Sequence, residues 1–380
     1  MATTKIKLII FLSALVGVVL LVNVILLTTL SGVVSSSQEK ATLAAIPAKI
    51  QLVTLGASTC SECFDTKAII AQFKDANVTS EKKIEFDSVE GKAMVLKYNI
   101  AKIPAVIVTG EVSKSSSISA FLAQAGNDHG DAFVIESPIP PYVDAQTSDV
   151  RGLVVLNVIT KKDCTDCYDL TPLLSQLKST LTIKEIHEYD SLDPEALKLI
   201  STYHIDAVPT LVFDSEAATY PMITEVWPLV GTVEKDGMYV MRNLNPPYYN
   251  LTSREIEGVV SMTVLGDSSC TTCYNATKIN SAILAQLGVK TKETKQVDVS
   301  SVEGKKLIDL YKITRVPTIL LFGGMDKYPN LAQSWQGVGS IEDDGTYILR
   351  KLEVFSSPFM DLESGKIVIP SPVDSSESVQ

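Results

Sequence analysis

The feature that most limits how this chain can fold is a repeat. Six cysteines fall in three C-x-x-C stretches, Cys60/Cys63, Cys164/Cys167 and Cys270/Cys273, and the first cysteines lie 104 and 106 residues apart. Around each stretch the same elements recur in the same order. Self-similarity at a fixed period means that one structural unit occurs three times.

Each copy opens with an apolar, strand-like run: "KIQLVTL", "GLVVLNVI" or "VVSMTVL". The C-x-x-C follows, then an aromatic residue (Phe64, Tyr168 or Tyr274) and a helical pattern. The periodicity predicts one apolar helix face carrying Ile69 and Phe73, Leu173 and Leu177, and Ile279 and Ile283. A second strand runs to Asp87, Asp190 or Asp298, which are expected to cap helices. A second helix ends in "YNIAKIP", "YHIDAVP" or "YKITRVP", and a further strand follows. The tails also repeat: "GTVEKDGMYVMR" matches "GSIEDDGTYILR", and "PPYVD" matches "PPYYN". Asp-Gly in the first pair predicts a tight turn. This alternation of strands and helices is the βαβ layout, which predicts a parallel sheet under crossover helices.

Before the repeats, no charged side chain occurs between Lys7 and Glu39, and residues 8–30 are strongly apolar. At about 1.5 Å per helical residue this stretch matches the roughly 30 Å of bilayer hydrocarbon. A cleaved signal peptide is the alternative, but its apolar core is usually only about 7–15 residues. We therefore expect a cytoplasmic N-terminus at 1–7, a transmembrane helix at 8–30 and a linker at 31–48. Lys5 and Lys7 precede the span, so the positive-inside rule leaves the repeats outside the cytoplasm. Thiols tend to oxidise there. The expected domains are 49–146, 147–255 and 256–369, followed by a disordered tail at 370–380. A formal net charge of −11 without a basic cluster argues against a nucleic-acid partner.

Two cysteines three apart have three readings. Structural zinc wants four ligands, usually from two closely spaced pairs; here the pairs sit in separate copies, with only His129, His187 and His204 in the whole chain to assist. The pairs can also be inert staples in an oxidising compartment. The third reading is thiol–disulfide exchange. A βαβ layout places the first cysteine at a helix N-terminus, where N–H groups and the dipole stabilise a thiolate. The second thiol can then resolve the mixed disulfide that forms.

With the C-x-x-C stretches and the Y-x-I-x-x-[IV]-P blocks 44, 45 and 47 residues beyond each first cysteine, about 320 of 380 residues resemble the thioredoxin-like family. The resemblance implies three tandem α/β thioredoxin-like domains, each with a modified C-terminal hairpin. It implies cis-prolines at Pro104, Pro209 and Pro317 that pack beside the cysteines and position a substrate backbone. Cys60, Cys164 and Cys270 would attack, with Cys63, Cys167 and Cys273 resolving. The partners implied are protein thiols or disulfides and a redox partner protein, with no cofactor and no metal. The central dipeptides differ from those of thioredoxins, glutaredoxins and disulfide isomerases, and the buried acidic residue of the thioredoxin first strand has no counterpart.

Those dipeptides carry one more expectation. Glu62 and Asp166 place a negative charge beside a thiolate, at a cost on the order of 1 kcal/mol. That shifts the couple toward the disulfide by roughly 20–30 mV. The third site, with Thr271 and Thr272, should then be the easiest to reduce. Phe64, Tyr168 and Tyr274 are expected as packing or rim residues, and Tyr98, Tyr203 and Tyr311 as core. Trp227 and Trp335 are expected to pack in the tail, with Phe121 as the first copy's counterpart. Asn77, Asn250 and Asn275 begin N-x-T sequons. The non-enzymatic alternative is a surface or binding protein that uses three stapled domains as a rigid rod, or their proline grooves without turnover.

Overall fold

The computed structural model describes residues 47–370. The expected membrane span at 8–30 and the tail from 371 onward lie outside these residues. No helix among the described residues is long and apolar enough to cross a membrane.

In the first unit, β1 (Lys49–Gly56) begins with the period-two alternation of a strand, and Ile50 and Leu52 are wholly buried. It is flanked by β2 (Asn77–Glu85), which is parallel to it, and by β4 (Ala105–Gly110), which is antiparallel. Two further strands, β5 (Asn127–Asp128) and β6 (Phe133–Glu136), complete a five-stranded sheet in the order β2-β1-β4-β6-β5. Residues 105–108 of β4 are buried without alternation, because both faces of the sheet are covered. On one face, α1 (Lys67–Ile70) and α3 (Ser116–Ala125) bring Ile69, Ile118 and Leu122 onto Leu52 and Val106. On the other, α2 (Val89–Lys97) leads Tyr98 and Ile100 onto Leu55 and Ile107.

The sheet is mixed, not parallel as the βαβ reading predicted. After α2, the short strand β3 (Lys102–Ile103) carries the chain back to the end of the sheet where β1 finishes. There β4 begins with Ala105 opposite Leu55, so it must run against β1. Beyond β6, a hairpin of β7 (Tyr142–Asp144) and β8 (Val150–Arg151) adds to β3 as a separate three-stranded sheet.

The second and third units repeat this pattern. Their five-stranded sheets centre on Thr210–Phe213 and Thr318–Gly323, each flanked by the strand before the cysteines (Val154–Thr160 or Val260–Gly266), and three-stranded sheets form at Ala207–Val208 and Arg315–Val316. The chain is thus a mixed α/β protein with three similar sheets, consistent with three tandem thioredoxin-like domains. Three helices that the sequence reading had missed occupy the same place in each unit: α3 and its counterparts Pro221–Val230 and Pro329–Trp335. Trp227 and Trp335 lie on these counterpart helices and pack against the tail strands as expected, edge-on to Tyr239 and Tyr347 and donating to the Thr232 and Ser340 carbonyls. Pro221 and Pro329 open the two helices, where the missing N–H costs nothing. One predicted helix face is also shifted. In Ala276–Gln286 the buried residues are Ala276, Asn280 and Leu284, while Ile283 is 39% exposed.

At both junctions the last strand of one unit's three-stranded sheet, Val150–Arg151 or Glu255–Glu257, reaches past the expected boundaries at 146 and 255 and is tied to the unit that follows. Arg151 bonds Glu216, whose carboxylate also accepts the Gly152 N–H, and Tyr220 donates to the Gly152 carbonyl at 2.7 Å. At the next junction Lys327 pairs with Glu257 at 2.7 Å, and Tyr328 donates to the Gly258 carbonyl at 2.8 Å. Gly152 and Gly258 have φ of 86° and 82°, and a Cβ at either would lie 2.3 Å from a proline Cβ. Only glycine fits there.

Candidate functional site

All six cysteines are oxidised, each paired within its own C-x-x-C, with Cα–Cα separations of 5.4, 5.4 and 5.5 Å. All six are half-buried. They do not sit on helices. The stretches lie in turns, and the helices that follow begin at Lys67, Thr171 and Ala276. This corrects the expected helix-terminal placement. Asp65 and Asp169 accept N–H bonds from Lys67 and Thr171, and Asn275 caps its helix through Lys278, so the helix starts are set beyond the cysteines. Because helix-dipole effects fade within the first turn, the dipole contributes less to a thiolate here than the sequence suggested.

Three repeated contacts hold each turn. Cys60, Cys164 and Cys270 donate their N–H groups to Ala57, Lys161 and Asp267 carbonyls at 3.2, 2.9 and 3.1 Å. Two residues before each first cysteine, the N–H of Ser58, Lys162 or Ser268 donates to Glu85, Asp190 or Asp298 at 2.9, 2.7 and 2.8 Å. These N–H donors hold the Asp190 carboxyl below the usual range, and the Ser300 and Ser268 donors do the same for Asp298. The acids expected to cap helices therefore brace the cysteine turn. In the first unit the brace is Glu85, opposite Gly56 in the ladder, and not Asp87. The N-caps are Ser88 and Ser301 instead. Alignment by spacing missed this by two residues.

The third contact comes from the tail. Phe64, Tyr168 and Tyr274, each next to a second cysteine, donate N–H bonds to the carbonyls of Pro141, Pro247 and Pro358 at 3.4, 2.7 and 3.1 Å. From these prolines the tail strands run along the residues that precede Pro104, Pro209 and Pro317. Ile103 pairs with Val143, Val208 with Tyr249 and Val316 with Met360. The three prolyl bonds are cis, as the resemblance implied. The backbone just before each proline is therefore already engaged by the chain's own tail. Short two-residue ladders gave no sequence signal for this.

In the third unit a cavity of about 410 Å³ is lined by Cys270, Cys273, Tyr274, Asp298 and Pro317, so the cysteines and the proline share one space. In the first unit Cys60 and Cys63 pack against the apolar cluster that contains Ile103. For the second unit, equivalence rests on the Val208–Pro209 bond and its tail pairing.

The aromatic neighbours differ among copies. Tyr274 is buried, and its hydroxyl donates to the Pro317 carbonyl at 2.8 Å; burial pushes its titration well up. Tyr168 is half-buried and lines a cleft between the second and third units, and Phe64 has no hydroxyl. Tyr274→Phe would leave a buried carbonyl unpaired, at about 1–3 kcal/mol. We expect urea unfolding of the third unit, followed by Trp335 fluorescence, to move earlier by that amount. An unchanged midpoint would show that the hydroxyl bond is idle.

Around the second site the charges are compensated. Asp163 lies 2.9 Å from Lys161, and Asp166 is 2.6 Å from Lys292 of the third unit. Glu62 accepts only from Ser61, at 3.4 Å, and no cation pairs with it among the described residues. Tyr98 and Tyr311 are buried, as expected; Tyr203 is half-buried and bonds Asp236 at 2.8 Å. Asn250 bonds Glu257, Asn77 opens β2, and Asn275 caps a helix. His129 and His187 pack against Tyr98 and Tyr189, and His204 ends a helix at φ 50°. No group of three or more His, Cys, Asp or Glu side chains among the described residues could hold a metal ion.

A scan against protein-family models finds no match, and neither does a search of curated proteins. Among solved structures, the NTD_N/C domain of alkylhydroperoxide reductase AhpF from Enterococcus faecalis aligns at 15% identity over 49% of this chain and 87% of its own, with a TM-score of 0.16. Form I of ERdj5 aligns at 10% identity over 78% of this chain and 40% of its own, with a TM-score of 0.15. Zinc-bound human ERp44 aligns at 13% identity over 76% and 87%, with a TM-score of 0.14. Scores this low carry no weight. What stands is the sheet order, the oxidised C-x-x-C turns and the cis-prolines. Three thioredoxin-like units fit that arrangement.

Proposed function

We propose that the protein is a thiol–disulfide oxidoreductase acting on protein partners through its three C-x-x-C sites. It is anchored by residues 8–30 with its N-terminus in the cytoplasm, and it displays domains at about 49–146, 147–255 and 256–369 outside the cytoplasm. The observation that carries this reading is that every pair is a half-exposed disulfide in a braced turn instead of a staple inside the core. In oxidation, a partner thiolate attacks the sulfur of Cys60, Cys164 or Cys270. The disulfide breaks, and Cys63, Cys167 or Cys273 leaves as a thiolate that takes a proton from solvent. A second partner thiol then attacks the mixed disulfide and frees the first cysteine. The partner gains a disulfide, and the site gains two electrons. Reduction runs the same steps backwards, and a redox partner protein restores the starting state. No metal or organic cofactor enters either direction.

A non-enzymatic rod is the second reading, favoured by one observation. The tail strands occupy the backbone before Pro104, Pro209 and Pro317, which is where an extended partner would otherwise pair. The two readings separate in a dithiothreitol-driven insulin-reduction assay on the full chain. Exchange predicts reduction of the pairs in the folded protein and turnover that falls when first cysteines become serine. It also predicts a trapped mixed disulfide when Cys63, Cys167 or Cys273 becomes serine. Pairs that resist reductant until the chain unfolds would leave only the rod.

A further inference from the structure

The second site receives a charge from outside its own unit. Lys292, near the start of the third unit's Thr291–Asp298 strand, places its ammonium 2.6 Å from Asp166, the residue just before Cys167. Asp166 is fairly enclosed, with 23% of its side chain exposed. The other acid beside Cys164, Asp163, is matched by Lys161 from its own unit. Both carboxylates flanking the second disulfide are thus balanced.

The first site lacks this arrangement although the chain carries the parts for it. Ile183 pairs with Val154 as Thr291 pairs with Val260, so Lys184 occupies the place of Lys292. Lys184 nevertheless faces Glu185 of its own strand at 3.9 Å, and Glu62 keeps no cation. The equivalent lysine is present at both junctions and is used at one.

We propose that Lys292 is a positioning residue for the second C-x-x-C, cancelling the Asp166 charge so that docking of the third unit makes the Cys164–Cys167 disulfide easier to reduce. Reduction by dithiothreitol moves two electrons to the sulfurs and converts the reagent to its cyclic disulfide. The new charge is a cysteine thiolate beside Asp166, and a neutralised Asp166 opposes it less. By reciprocity, a reduced second site holds Lys292 more tightly, so redox state and the contact between the second and third units are linked. This deepens the exchange reading of that site and rests on it. It also reverses part of the ranking drawn from the dipeptides: the second site moves toward the third, and the first alone retains an uncompensated acid.

The test uses the full chain equilibrated in dithiothreitol buffers, with differential alkylation and peptide mass spectrometry reporting each pair separately. Partly exposed ion pairs are usually worth little, so Lys292→Gln should lower the reduction constant of Cys164–Cys167 by roughly 1.4- to five-fold. That is about 4–20 mV at 30 mV per tenfold change for two electrons. The first and third pairs should stay put, and Lys184→Gln should leave the first pair unchanged. Combining Lys292→Gln with Asp166→Asn should erase the lysine's effect, and about 1 M salt should shrink it. An unshifted constant in folded Lys292→Gln overturns the inference, as does a shift that survives Asp166→Asn. If all pairs reduce normally, only this inference falls; if none reduces in the folded chain, the exchange reading falls with it.

Discussion

Trp227→Ala should destabilise the second unit by about 3–5 kcal/mol, the usual cost of truncating a buried tryptophan. The indole is 5% exposed, stands edge-on to Phe213 and Tyr239 with centroids 5.2 and 5.3 Å away, and donates to the Thr232 carbonyl at 2.8 Å. Removing it opens a cavity between helix and sheet and deletes that hydrogen bond. The chain has two tryptophans, so this variant retains Trp335 as a reporter of the third unit alone. The hydrogen bonds and ion pairs that join the third unit to the second include the Tyr328 bond to Gly258 and partly exposed pairs at Lys292 and Lys327. Such pairs contribute little each. Far-ultraviolet circular dichroism should therefore show an early transition, while Trp335 fluorescence keeps a midpoint within about 1 kcal/mol of wild type. The mirror variant, Trp335→Ala, should leave Trp227 reporting a stable second unit. Coincident loss of both signals would mean that the units unfold as one body.

The sequence carried the strands and the repeat because buried strands announce themselves as apolar runs. "AVIV" at 105–108 is buried throughout, and its copies at Thr210–Phe213 and Thr318–Gly323 behave alike. It was less informative where one residue of register decides the outcome. Ile279 and Ile283 match the helical template, yet the buried series is Ala276, Asn280 and Leu284 because Asn275 sets the helix start. Glu85 is an acid at a strand end like Asp190 and Asp298, but the nearby Asp87 offered a closer residue match and hid it. Contacts without any sequence period were beyond reach. The Lys292–Asp166 pair joins residues 126 apart, and the tail strands meet the proline loops over two residues each.

The brace on the cysteine turn gives the other large prediction. Gly91 and Gly304 stand three residues after the N-caps Ser88 and Ser301, in the first turn of their helices. Replacing a helical glycine by alanine ordinarily gains up to about 1 kcal/mol. Here the sign should reverse. A Cβ at Gly304 would lie 2.0 Å from the Asp298 carbonyl oxygen, and one at Gly91 would lie 2.2 Å from that of Glu85. Backbone on both sides cannot rotate away as a side-chain tip could, so the strand end must move. Overpacking of this kind costs about 1–3 kcal/mol, and sometimes more. The displaced residue is the one whose carboxylate holds Ser268, two positions before Cys270. Gly304→Ala should therefore lower the urea midpoint seen by Trp335 and speed reduction of Cys270–Cys273 together. In the second unit the equivalent residue is Ala196, fully buried, so there the alanine is the fitted residue and Ala196→Gly should cost about 1 kcal/mol through helix propensity. A stabilised Gly304→Ala with unaltered disulfide kinetics would mean that strand end and helix are not in contact, and that the third turn is not held in place by Asp298.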